Sequence, residues 1–112
     1  MRILFDQGTP VAIGEALQNH SVRTANAQGW STLTNGELLR VAEEAGFDVL
    51  LTTDTSLPHQ QNIRGRKLAV VILTKNRWAL IKPRMREIVA AVNSSQAGTY
   101  SVVDIPDAET EP

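Results

Sequence analysis

Short, strongly apolar runs alternate with amphipathic stretches along this chain, and that alternation predicts its architecture. Ile3-Leu4-Phe5, Val49-Leu50-Leu51-Thr52-Thr53 and Leu68 to Thr74 are apolar enough for strands buried on both faces. Ser21-Val22-Arg23-Thr24-Ala25 reads as an edge strand, and Tyr100 to Ile105 as a last one. The predicted strands are thus residues 2–6, 21–25, 48–53, 68–74 and 100–105.

Helical patterns fill the intervals. Gly8-Thr9-Pro10 opens the first, with Thr9 as N-cap and Pro10 in the first helical position. Ile13, Ala16 and Leu17 form its stripe, and Asn19-His20 closes it. Thr34 and Glu37 have the spacing of a capping box; Leu38, Val41, Ala42 and Ala45 follow on one face until Gly46. Trp78, Ile81, Met85, Ile88, Val89 and Val92 predict a long third helix reaching about Asn93, with Pro83 in its first turn or at a kink. Thr55 to Asn62 has room for one helical turn, while Asn26 to Thr34, carrying Trp30, reads as loop. Strands alternating with helices in this way imply an α/β fold whose mostly parallel sheet is covered on both faces.

With 112 residues the chain is expected to be one domain, residues 1–105, ending in an acidic tail over 106–112. No apolar run nears the roughly 20 residues of a membrane span. Met1-Arg2-Ile3-Leu4-Phe5-Asp6 leads straight into a strand without signal-peptide features, and the sequence has no cysteine, so a cytoplasmic location is expected.

The net charge of −1 conceals segregation. Residues 1–54 hold three basic and seven acidic side chains, residues 55–86 eight basic and no acidic ones, and residues 87–112 five acidic and no basic ones. The middle block could attract phosphates, or could be a solubilising face offset by the acidic tail.

The candidate chemistry lies in two acids. Asp6 and Asp54 each end a predicted buried strand, which puts both at the carboxyl edge where open α/β sheets build their sites. Each also has a purely structural reading, Asp6 as a turn former over Asp6-Gln7-Gly8-Thr9 and Asp54 as a helix cap. Together, on neighbouring strands, they repel unless a cation or base offsets them, and magnesium suits such a pair. Asn35 and Glu37, at the start of the second helix, are the candidates to complete the site, although Glu37 is also half of the capping box. Asp48 precedes its strand and belongs at the opposite edge. Arg64, Arg66, Lys75 and Arg77 flank the strand beside that of Asp54 and are the candidate phosphate contacts. His20 and His59 lack partner ligands, which argues against zinc. Trp30 could stack on a base or a partner protein, whereas Trp78 is expected in the core.

Asp6 before a helix, then Asn35-Gly36-Glu37-Leu38-Leu39-Arg40-Val41-Ala42-Glu43-Glu44-Ala45-Gly46, then Val49-Leu50-Leu51-Thr52-Thr53-Asp54, resembles a compact PIN-like domain. The likeness is to the DUF5615 group, related to the Mut7-C and VapC-type nucleases, and it covers nearly the whole chain. It implies a three-layer α/β/α sandwich with acids holding Mg²⁺ or Mn²⁺, the metal activating water to cleave RNA. The matching positions are Asp6 and Asp54; where the family pattern usually has Asp, this chain has Asn35, a poorer ligand for a hard cation. The resemblance further implies the toxin of a toxin–antitoxin pair. Its partners would be RNA and a small antitoxin, of the DUF433 type, with a homodimer left open and no membrane partner. The alternative is a catalytically inactive PIN-like module that binds a protein or RNA. A receiver-like phospho-acceptor also puts Asp at strand ends, but here Thr74 and Lys75 are adjacent and no second acid stands beside Asp6.

Overall fold

Alternate residues of each buried strand feed opposite cores, and this sets the layers. In the computed structural model, which describes residues 1–107, five parallel strands form one sheet: β1 (Arg2–Phe5), β2 (Ser21–Thr24), β3 (Val49–Thr52), β4 (Ala69–Leu73) and β5 (Tyr100–Val103). Their spatial order is β2-β1-β3-β4-β5. Ile3, Phe5, Val49, Leu51, Ala69, Val71 and Leu73 join one core; Leu4, Leu50, Val70 and Ile72 join the other. The protein is therefore an α/β fold with helices on both faces of an all-parallel sheet, the arrangement of a three-layer α/β/α sandwich.

The first core is closed by Ile13 and Leu17 from a 3-10 helix (Val11–Leu17), and by Ile81, Ile88 and Val92 from the long C-terminal helical segment. The second is closed by Leu38, Leu39 and Ala42 of helix α1 (Asn35–Glu44) and Leu57 of the single-turn helix α2 (Leu57–Gln60). The predicted capping box is present: the Glu37 amide donates to Thr34 Oγ at 3.3 Å, and the Thr34 amide to Glu37 Oε1 at 3.1 Å. Gly46, with φ of 84°, takes the chain out of α1 in the left-handed region that disfavours other residues.

Three expectations need correction. The first helix is 3-10 rather than α, and Thr9 is not its cap: the buried Thr9 hydroxyl donates to the Leu51 carbonyl, leaving Pro10 at the cap position. The third helix is not continuous. Pro83 has no amide hydrogen to continue the ladder, and the segment divides into α3 (Trp78–Ile81), a 3-10 turn (Lys82–Arg84) and α4 (Met85–Asn93). Trp30 is not a free stacking platform, because its ring meets Phe47 edge-on at 6.1 Å and packs on the second core. Trp78 packs partly buried against the first core. The expected acidic tail lies, from residue 108 onward, outside the described residues. No helix among the described residues is long and apolar enough to cross a membrane.

Candidate metal centre at the carboxyl edge of the sheet

From β1 the chain steps outward to β2, then returns past β1 to reach β3, so the direction of winding reverses between β1 and β3. Such reversal points, at the carboxyl ends of the strands, leave a crevice between diverging connections where ligands bind. Asp6 follows β1 and Asp54 follows β3. The predicted pairing of these two strands is present, with Phe5 opposite Leu51 and the Asp6 amide donating to the Leu51 carbonyl at 2.9 Å.

Thr52 stands one step beyond Leu51, and its wholly buried hydroxyl joins the two acids. It donates to Asp6 Oδ2 at 2.7 Å and accepts the Asp54 amide at 3.1 Å. The second Asp6 oxygen accepts the Gln7 amide at 2.8 Å. Asp54 Oδ1 accepts from both the amide and the hydroxyl of Ser56, at 2.9 and 2.6 Å, and Asp54 Oδ2 accepts from Asn35 Nδ2 at 2.9 Å. Those donors hold the Asp54 carboxyl below the usual carboxylate range, the Ser56 hydroxyl most strongly and Asn35 next, against a smaller opposing effect of burial. The amino end of α1, which carries Asn35, adds a partial positive charge on the same side.

Of the predicted site residues, the structure gathers Asp6, Asp54 and Asn35. Glu37 is held elsewhere: its Oε1 accepts both the amide and the hydroxyl of Thr34, which lowers its pKa and ties it to the cap. The basic candidates divide by edge. Lys75 and Arg77 follow β4 and share the carboxyl edge with the acids, Lys75 lying 3.7 Å from Asp107. Arg64 and Arg66 precede β4 at the amino edge. Arg66 is also paired at 2.5 Å with Glu43, whose other oxygen accepts the Lys67 amide, so it is not free for phosphate. Asp48, also at the amino edge, accepts the Arg2 amide at 2.8 Å.

Neither Asp6 nor Asp54 has an ion-pair partner among the described residues. Their chemistry is that of two carboxylates at one edge, with lone pairs beyond the bonds they accept, and the Asn35 amide nitrogen turned toward Asp54. Mg²⁺ is commonly held by one or two carboxylates, waters and substrate phosphates, and this donor set fits that habit. It is sparse, however, since no group of three or more Asp, Glu, His or Cys side chains among the described residues could hold a metal. Among the described residues a zinc site is not built either: His20 bonds the N-terminal amine and Asn93 at the start of β2. Nor is a receiver-like site, because the Thr74 hydroxyl accepts the Ile105 amide at 2.7 Å, turning Thr74 toward the end of β5.

Sequence reasoning missed Thr52 and Ser56. Ser56 had a legible signal, since an Asp side chain often accepts from the amide two residues on, the pattern Asp54 adopts. Thr52 had none without the β1–β3 register. No family model, no curated protein and no solved structure matches the chain.

Proposed function

We propose that this protein is a divalent-cation-dependent ribonuclease of PIN-like type, acting as the toxin of a toxin–antitoxin pair. One observation carries the reading. Thr52 links the Asp6 carboxylate to the Asp54 backbone at the sheet's reversal point, so two acids without ion-pair partners among the described residues stand on adjacent strand ends, where charge repulsion favours a shared cation. The RNA substrate and the small DUF433-type antitoxin come from the family resemblance alone.

In this reading Asp6 and Asp54 hold Mg²⁺ or Mn²⁺, which when bound lowers the pKa of water and offsets phosphate charge. Thr52 fixes the Asp6 carboxylate by donating to it, and Asn35 and Ser56 fix that of Asp54. The donors to Asp54 hold its carboxyl below the usual carboxylate range. Glu37 serves the helix cap and takes no part. Lys75 and Arg77 are the basic side chains on the correct edge to meet the RNA backbone, and such contacts weaken with salt.

A second reading, a non-catalytic module binding RNA or a protein, is favoured by Asn35, a neutral amide donating to Asp54 where the family pattern has an acid. Cleavage of a fluorogenic single-stranded RNA in Mn²⁺ separates the two. The nuclease reading expects chelator-sensitive cleavage by the parent, a loss of about 100-fold or more in Asp6→Asn, and a gain in Asn35→Asp. Tight RNA or protein binding with no cleavage by the parent or Asn35→Asp would establish the second reading instead.

A further inference from the structure

Among the described residues β5 ends the sheet, and one side of its backbone has no neighbouring strand there. The carbonyls of Thr99 and Val103 face inward, accepting the amides of Val70 and Thr74 at 3.1 and 3.3 Å. Successive strand residues offer their backbone groups to alternate sides, so Tyr100 and Val102 direct theirs outward. Their side chains are exposed as well, 49% and 52%, and stand on the sheet face opposite Val103, which is buried in the first core. Edge strands are usually guarded by a lysine, a proline or a bulge. Tyr100-Ser101-Val102-Val103 has no charge and no proline.

We propose that β5 is the seam of a two-fold homodimer, in which it pairs antiparallel with β5 of a second copy. The outward-facing residues define the register: Tyr100 opposite Val102, Val102 opposite Tyr100, and Ser101 opposite Ser101 on the axis. Directly opposed residues of antiparallel strands point to one face, so each ring packs on a β-branched side chain, a favoured cross-strand pair. Roughly four backbone hydrogen bonds close across the axis.

Charge selects the same register. It sets Asp104 opposite Gly98, and Gly98 lies against the segment holding Arg64: a Cβ added there would come within 3.3 Å of the Gly65 nitrogen. Arg64 lines a groove with Thr99 and Tyr100. Arg64 and Asp104 are both exposed and neither has an ion pair among the described residues. Two-fold symmetry brings each Asp104 to an Arg64 of the other copy, twice over. Sliding by two residues would oppose Tyr100 to Asp104 in one direction and Val102 to Gly98 in the other, and in both would move Asp104 away from Gly98 and lose both pairs. This inference does not depend on the metal site, since β4 separates β5 from β3.

A four-residue seam makes a small interface, so the dimer should be weak and concentration-dependent. Sedimentation equilibrium across a concentration series should show the 12.3 kDa chain passing to about twice that mass. Val102→Lys should keep the circular dichroism of the parent and remain monomeric. Arg64→Asp and Asp104→Arg should each weaken association about tenfold or more, and the double variant should return it to near the parent value. A monomer at every concentration up to about 1 mM overturns the proposal, as does a dimer indifferent to Val102→Lys or a double variant that is not rescued.

Discussion

Replacing Thr52 by Val removes one oxygen from the centre of the acid pair and leaves the buried shape nearly unchanged. Two hydrogen bonds go with it, the 2.7 Å donation to Asp6 Oδ2 and the 3.1 Å acceptance of the Asp54 amide. A bond to an ionised group is worth about 1.5–3 kcal/mol and a neutral one about 1 kcal/mol. Two effects offset part of that loss. Asp6 is only half-buried, so water can take the place of the hydroxyl, and the new methyl buries apolar surface worth about 0.8 kcal/mol. A net destabilisation of about 2 kcal/mol remains, corresponding to a fall in Tm of about 8 °C for a domain of this size. Thr52→Ser is the control: it keeps the hydroxyl, loses a methyl from a wholly buried position, and should cost about 1 kcal/mol. Urea unfolding of all three proteins, with equal m-values, measures the series. A Thr52→Val protein within about 0.5 kcal/mol of the parent, or more stable than Thr52→Ser, would show that the hydroxyl does not join the two acids.

Further outcomes follow from neighbouring contacts. Because the folded state lowers the Asp54 pKa, its interactions contribute stability above the ordinary carboxylate range, and this is lost as pH falls through the lowered folded value. Asn35→Ala should therefore be destabilising at pH ~7, with the difference from the parent shrinking by pH ~3 in urea titrations; a constant difference would refute the assignment. Glu37→Gln should leave Mn²⁺ affinity in calorimetry unchanged, since glutamine can still serve the capping box; a tenfold loss would make Glu37 a ligand after all. Gly8→Ala places a side chain at φ of 89° in the turn after Asp6 and should cost about 1–2 kcal/mol by thermal unfolding. A neutral result would mean that this turn relaxes.

Much of the fold is written locally. Ile3-Leu4-Phe5 and Val49-Leu50-Leu51 are apolar at consecutive positions because both faces of their strands are covered, and that reads directly as central parallel strands. The capping box at Thr34 and Glu37 and the stop at Gly46 are likewise short-range chemistry. The acids were legible as strand-end residues, but what surrounds them depends on contacts distant in sequence. Thr52 reaches Asp6 across 46 positions, and only the register of β1 on β3 shows that its hydroxyl points to that carboxylate. Arg66 reads as available for phosphate in a basic stretch, yet Glu43, 23 positions earlier, claims it. Trp30 sits in a polar stretch, yet Phe47 draws it onto the core. Where partner choice is set by tertiary packing, composition and spacing carry no trace of it.

Paramagnetic broadening by Mn²⁺ in amide NMR spectra tests most directly whether Asp6 and Asp54 share a cation. At sub-stoichiometric metal, the account predicts selective loss of the Gln7, Asn35, Asp54 and Ser56 amide signals in the parent, abolished in both Asp6→Asn and Asp54→Asn. Broadening confined to Glu43, Glu44 and Asp48 at the opposite edge, or unchanged by either substitution, would contradict it.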